Sequence, residues 1–309
     1  VIAREAPFGF NSFTTLGVFF DADQLGRAVE ASRADLFHVH NEPDWMIKVV
    51  KDHAGDRPVI YDVHDLGSLR YGEPGDDEVV AAQAADGILH VSEMCQRIFH
   101  NWHGNGKPDA VFYSMVNRQF VPDTLKESGW SSWVYEGGLS INDEEGDGLH
   151  NMRYWLPLVE QLTDRGYNVS LFRSGSDGDM GLVYENVGAF VIHNVMYPTL
   201  LNHLRNYAFG MVGALRDFPL MQAAMPNKMF EYLSQGVIPV VFNAMEAADY
   251  VTKHDVGYVW DKTLEIDANL EILNHEAERL RFNIMQKRDE FVVENQIETL
   301  VSLYEEVLK

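Results

Sequence analysis

The sequence predicts an α/β protein built from two domains with mostly parallel sheets, and three observations carry that expectation. Short β-rich runs alternate with longer amphipathic stretches, the pattern of strands joined by crossover helices. The runs fall into two series separated by a polar break that contains Pro122 and Gly129. At 309 residues, 46% of them hydrophobic, the chain is long enough for two cores, given about 100–200 residues per domain.

The first series of candidate strands is Asp35 to Val39, Pro58 to Val63, Gly87 to Val91 and Ala110 to Tyr113. The second is Trp133 to Tyr135, Asn168 to Phe172, Ala189 to Ile192, Phe209 to Gly213 and Ile238 to Phe242. Each is short, apolar and followed by polar or turn-forming residues, as buried parallel strands are. Arg118 to Ser132 breaks the pattern, which places the boundary near Lys126: residues 1–125 form an N-terminal domain and 126–309 a C-terminal one. From Ile266 to Lys309 the pattern is almost wholly helical, with Leu270, Leu273, Ala277, Leu280 and Ile284 at helical spacing.

A formal charge of -23 argues against a surface that grips nucleic acid or anionic lipid, since both rely on clustered Lys and Arg. The single cysteine, Cys95, excludes an internal disulfide framework and a multi-cysteine metal site. No apolar run reaches the 18 or so residues of a membrane span, and the opening VIAREAPFGFNSF lacks the order of a secretory signal. The expectation is a cytoplasmic protein without a transmembrane segment, with an abrupt, processed or incomplete start.

The most informative segment runs from Pro226 through Asn227, Lys228, Met229, Phe230, Glu231, Tyr232, Leu233, Ser234, Gln235 and Gly236 into Val237-Ile238-Pro239-Val240-Val241. It reads as a helix opening near Pro226 or Asn227, closed by Gly236 as a left-handed cap, and passing into a buried strand. Lys228 and Glu231 lie three apart on one face, close to the helix N-terminus, where backbone N–H groups favour an anion such as phosphate. Lys228 can then neutralise a diphosphate while Glu231 accepts hydrogen bonds from ribose hydroxyls. The other reading of the same spacing is an exposed ion pair contributing a few tenths of a kcal/mol.

This segment resembles the P-N-K-x-x-E-Y-x-x-x-G-x-P-V-V signature of GT-B glycosyltransferases of the family 4 type. Three further runs are similar, in order, to strand ends of that family's N-terminal domain: Asp35-Leu36-Phe37-His38-Val39-His40, Pro58 through Val63-His64-Asp65-Leu66, and Ala85-Asp86-Gly87 through His90-Val91-Ser92-Glu93. The resemblance spans about residues 35 to 260. It implies two Rossmann-like domains with parallel sheets facing across a cleft. It further implies a retaining, metal-independent transfer from a nucleoside-diphosphate sugar, UDP by default, to a glycan, lipid-linked or small-molecule acceptor. By resemblance Lys228 contacts the donor's diphosphate and Glu231 its ribose, with Asn227 beside them, and no cofactor is needed beyond the donor.

His64 falls just beyond a strand, the edge at which ligands bind in open α/β sheets; taken alone, a single histidine there is as readily structural. By resemblance it faces the donor sugar near the reacting carbon, with Asp65 orienting it or touching the acceptor. His40, Asn41 and Glu42 follow the preceding strand and line the acceptor side, or form a solvated polar loop. His38 and His40 alternate along a strand, but two histidines need further ligands and the sequence offers no convincing third, so no metal is expected.

Gly137-Gly138 after the first strand of the second domain is the expected phosphate-facing turn. The family more often has an arginine where Gly138 stands, followed by a Lys-Gly pair, whereas this chain continues with Asn142 to Gly148. Ala223 stands where an E-x7-E motif ending at Glu231 would begin, and only Gly9 and Gly17 stand near a first Gly-rich loop. Asn194 to Leu201 resembles the family's loop toward the nucleotide base, with Tyr197 and Pro198 in the base region, although an aromatic at a strand end also serves packing. Arg216, after the next strand, is within possible reach of phosphate. The departures make a catalytically impaired GT-B-like nucleotide-sugar-binding or assembly partner the alternative expectation, and a GT-B epimerase a third.

Overall fold

The computed structural model describes residues 2–3, 17–124, 129–141, 151–173 and 180–309. The expected boundary at Lys126, the segment Asn142 to Gly148 and Gly9 lie outside the described residues. Described strands are β1 (Ile2–Ala3), β2 (Gly17–Val18), β3 (Phe37–His40), β4 (Val59–Val63), β5 (Gly87–His90), β6 (Asp109–Val111), β7 (Ser132–Gly137), β8 (Asn168–Arg173), β9 (Phe190–His193), β10 (Phe209–Gly213), β11 (Ile238–Phe242) and β12 (Tyr258–Val259). All nine expected strands are present, and every described pairing between strands is parallel.

The chain divides into two compact units, Val1–Phe112 with Glu298–Lys309, and Tyr113–Ile297. Residues 113–124 therefore pack with the second unit, and the last twelve, Glu298–Lys309, with the first.

In the first unit the sheet order is β3-β4-β5-β6. Strand β4 is buried along its whole length, and its one charged residue, Asp62, is buried with it. A carboxylate in such a strand is costly without partners, so the residues around it become informative. Leu303, from the helix Ile297–Val307, packs on Ile60 and Leu89, with Leu300, Tyr304 and Val307 beside it.

In the second unit the order is β12-β11-β10-β7-β8-β9. From β7 the chain builds outward one way through β8 and β9, then returns and builds the other way through β10, β11 and β12. The reversal lies between β7 and β10, and open α/β sheets leave a ligand crevice beyond the carboxyl ends of the strands at such a point. The core beneath is aromatic, with the Trp133 and Phe209 rings 5.1 Å apart and Trp155, Phe230 and Tyr232 fully buried. The helix Ile266–Lys287 covers it through Leu270, Leu273, Ala277, Leu280 and Ile284, the residues spaced for that face. No helix among the described residues is long and apolar enough to cross a membrane.

Candidate active site

A cavity of about 500 Å³ opens at the carboxyl edge of β7 and β8, lined by Glu136, Gly137, Phe172, Arg173, Asn194, Val195, Leu200, Asn227, Lys228 and Glu231. It lies at the order reversal of the second sheet and gathers Gly137, Asn227, Lys228 and Glu231 from the donor-side set.

The helix Asn227–Gln235 forms for local reasons. Its buried residues, Met229, Phe230 and Leu233 among them, form an apolar face, and Gly236 at φ 77° closes it in the left-handed conformation that glycine adopts without penalty. Pro226 at its N-cap offers no side-chain acceptor; the Met229 N–H donates to the Pro226 carbonyl at 3.0 Å, and the N–H groups of Asn227 and Lys228 are left for an anion. Lys228 reaches forward from that turn, and its Nζ stands 4.3 Å from the centre of the Tyr135 ring, a cation–π contact that holds the ammonium at the cavity wall. The exposed ion pair does not form: Glu231 is only 8% exposed, and among the described residues no ion pair joins it to Lys228.

Gly137 has φ 128°, which only glycine adopts readily, and a side chain there would meet Tyr135 Oη at 3.3 Å and Lys228 Nζ at 3.4 Å. The turn therefore brings backbone up to the lysine. At Gly138 the space a side chain would fill is taken by Arg153, whose Nη1 lies 2.7 Å from that position. A guanidinium is thus present over Gly138, supplied from elsewhere in the chain.

Two carboxyl groups share the cavity. Glu136 is 5% exposed and its Oε1 has no hydrogen-bond partner. Burial, reinforced by the charge of Glu231 and only partly offset by Lys228, pushes Glu136 well above the usual carboxylate range. Burial and then the charge of the neighbouring Glu231 raise Tyr197 too. The Tyr197 ring sits edge-on to Phe120 at 5.8 Å. On that side Asn194, Val195 and Leu200 form the wall, while Pro198 and Arg216 are exposed and do not line the cavity.

In the first unit the five other expected residues gather at the carboxyl ends of β3 and β4. Asn41 is a buried brace: its Oδ1 accepts from the His64 backbone N–H at 2.8 Å, and its Nδ2 donates to the Asp65 carbonyl at 3.0 Å and to Asp44 Oδ1 at 3.1 Å. Arg70 joins Glu42 at 2.5 Å and Asp65 at 2.8 Å. Burial raises Glu42 despite that arginine.

Asp62 Oδ2 lies 2.7 Å from His40 Nδ1, 2.9 Å from His38 Nε2 and 3.2 Å from His64 Nε2. Burial works to raise the Asp62 carboxyl, but the three imidazoles together hold it far below the usual range. The hydrogen bond with Asp62 raises His64 in turn, against its partial burial. The third and fourth groups beside His38 and His40, invisible in the sequence, are Asp62 and His64.

Sequence reasoning missed Glu136, Arg153, Arg173 and Asp62. Glu136 carried one available signal, an acidic residue ending an apolar strand directly before a Gly-Gly turn. Arg153 carried none, because its contact with Gly138 depends on the path of the chain between them.

Fold and cavity together define an α/β protein of two parallel-sheet units with a ligand crevice at a switch point. Among solved structures it is similar to an α-glucosyltransferase in complex with UDP-glucose and DNA containing an abasic site, with a TM-score of 0.65 and 14% identity over 100% of this chain and 90% of that one. It is also similar to Anabaena HepE in complex with UDP, at 0.63 and 13% over 91% and 82% of the two chains. A third is sucrose-phosphate synthase from Thermosynechococcus elongatus, at 0.66 and 13% over 93% and 77%. No protein-family profile and no curated relative matches the sequence. The chain has the GT-B fold.

Proposed function

We propose that this protein is a retaining glycosyltransferase that moves a sugar from a nucleoside-diphosphate sugar, UDP-linked, to a glycan, lipid-linked or small-molecule acceptor, with no metal at the diphosphate. The observation that carries this reading is the convergence of the Gly137 turn, the first turn of the helix Asn227–Gln235, Lys228 and Glu231 on one cavity at the switch point. Solved structures of the same fold that hold UDP or UDP-glucose support the donor class. The charge of -23 opposes a nucleic-acid acceptor.

In this reading the second unit holds the donor. Lys228, the uncapped N–H groups of its helix and Arg153 above Gly138 face the diphosphate, and Glu231 accepts from the ribose hydroxyls. As the bond from the anomeric carbon to the diphosphate oxygen breaks and one to the acceptor oxygen forms, negative charge grows on the diphosphate, where these donors already point, and the acceptor's hydroxyl proton passes to the departing phosphate oxygen. The raised Glu136 carboxyl resists adding a second negative charge there. His64 and Asp65 are the catalytic residues of this reading, and His40, Asn41 and Glu42 its acceptor-side residues, all carried by the first unit. The protein works in the cytoplasm.

Calorimetric titration with UDP, GDP and ADP tests the donor site. UDP is expected to bind saturably, and Lys228→Ala to weaken it at least about tenfold, the loss of one charge-assisted contact at about 1.4 kcal/mol. Unchanged affinity would remove Lys228 from the site. Incubation with UDP-glucose and a panel of acceptors, with the anomer of any product read by NMR, tests transfer and retention; tight nucleotide binding without turnover would leave an impaired scaffold.

A further inference from the structure

Asp62 is the only charged residue of a strand buried along its whole length, and three histidines aim ring nitrogens at one of its oxygens. Beyond their distances to Asp62 Oδ2, His40 Nδ1 and His64 Nε2 lie 3.1 Å from each other, and the donor atoms of His38, His40 and Asp62 all fall within 4.8 Å of one another. Hydrogen bonding alone accounts for this poorly. One carboxylate oxygen offers about two lone-pair sites, three imidazoles compete for them, and two of those imidazoles also confront each other.

We propose that His38, His40 and Asp62 form a binding site for a divalent transition-metal ion of the zinc type, with the adjacent His64 drawn in by the ion as the fourth donor. Imidazole and carboxylate suit such ions, and four donors about 2.0–2.2 Å from a tetrahedral centre lie roughly 3.3 Å apart. Asp62 Oδ2 is 2.7 Å from His40 Nδ1 and 2.9 Å from His38 Nε2, somewhat inside that spacing, the three donor atoms lie within 4.8 Å of one another, and His64 Nε2 stands beside them, 3.1 Å from His40 Nδ1 and 3.2 Å from Asp62 Oδ2. With an ion at the centre every inward atom presents a lone pair, so the competition for protons disappears.

The surroundings fit the same use. His38 Nδ1 lies 2.6 Å from the Tyr304 hydroxyl, the outer hydrogen bond that fixes a ligating imidazole's tautomer and leaves Nε2 free for the ion. His40 is 65% exposed at its side chain and Asp62 5%, so the site has a solid floor and an open entrance. The cluster of His90, His100 and Asp109 compares poorly: Gln96 Nε2, an amide that ligates no metal, donates at 2.9 Å to the same Asp109 oxygen that both histidines approach. A bound ion would join the carboxyl ends of β3 and β4 and leave His64 its Nδ1 for substrate. The inference does not rest on the glycosyltransferase reading, because binding is measured without substrate.

The test is titration of the chelator-stripped full chain with Co²⁺ followed by absorption, and with Zn²⁺ by competition against a chromophoric chelator. The expected result is one ion per chain and the intense visible bands of four-coordinate cobalt. His40→Gln and His64→Gln, both at partly exposed positions, should each weaken binding at least about tenfold while their metal-free melting curves stay like that of the native chain. His100→Gln should leave binding intact. Absence of saturable binding would overturn the proposal, as would binding that survives both substitutions or is lost in His100→Gln.

Discussion

The carboxyl edges of the two sheets share an architecture and differ in chemistry. At the first, imidazoles surround a single buried carboxylate, Asp62. At the second, cations flank a Gly-Gly turn above two carboxyl groups, one of them pushed well above the usual carboxylate range by burial. Parallel strands ending at one edge deliver side chains from several strands to one place, but the residues at those ends decide what is bound there. On the proposed reading the first edge holds position and handles protons or a cation, and the second receives an anion. If that division of labour is right, substitutions at the two edges should affect different measurements.

The largest expected separation comes from His64→Ala. Turnover should fall about a hundredfold, as for the loss of a group acting at the reacting centre, while UDP affinity measured by calorimetry stays unchanged. A matching loss of UDP affinity would abolish the distinction between the edges. Glu231→Ala is the converse case. Removing the buried carboxylate proposed to accept from the ribose hydroxyls should weaken UDP binding about tenfold or somewhat more. Unaltered affinity in this variant would place the ribose elsewhere.

A smaller, purely physical contrast is the pH dependence of stability at the second edge. Because Glu136 titrates higher in the folded protein than in the unfolded chain, the native state binds more protons between the ordinary glutamate range and the raised value. Its contribution is therefore fully present below the ordinary range and is lost as pH rises through the raised value. Melting temperatures across about pH 5 to 9 should decline less steeply toward high pH in Glu136→Gln than in the native chain. Parallel curves would mean that Glu136 is ionised in the fold.

How much of this was legible in the sequence follows from the range of the interactions. The helix Asn227–Gln235 and its Gly236 cap were readable because apolar spacing and a capping glycine are local signals. The nine longer strands were readable by their apolar runs. The strands β1, β2 and β12 were not, since two residues each give no periodicity. The donor-side residues Gly137, Asn227, Lys228 and Glu231 meet in one cavity because they sit at strand and helix ends. The partners of Asp62 were hidden because they depend on the register that sets His40 opposite Asp62. Tyr197 illustrates the remaining ambiguity: its ring packs on Phe120 and the charge of Glu231 acts on its hydroxyl, neither of which its sequence neighbours indicate.

The smallest expected effect bears on the departure at Gly138. Arg153 occupies the space into which a longer residue at 138 would project, and among the described residues its guanidinium has no ion-pair partner. If a cation is needed over this turn, Arg153 supplies it from the far side of the segment 142–150 rather than from the turn. Arg153→Gln should weaken UDP binding by only about threefold at ordinary ionic strength, because the side chain is exposed and its field is screened by solvent and salt. That loss should grow as salt is lowered, with no change in melting temperature. The paired variant Gly138→Arg has to displace Arg153 in the native background, whereas in the Arg153→Gln background the space is open and the new guanidinium should restore binding. Rescue in the second background and not in the first would show that one position in space, reached from either residue, carries the charge.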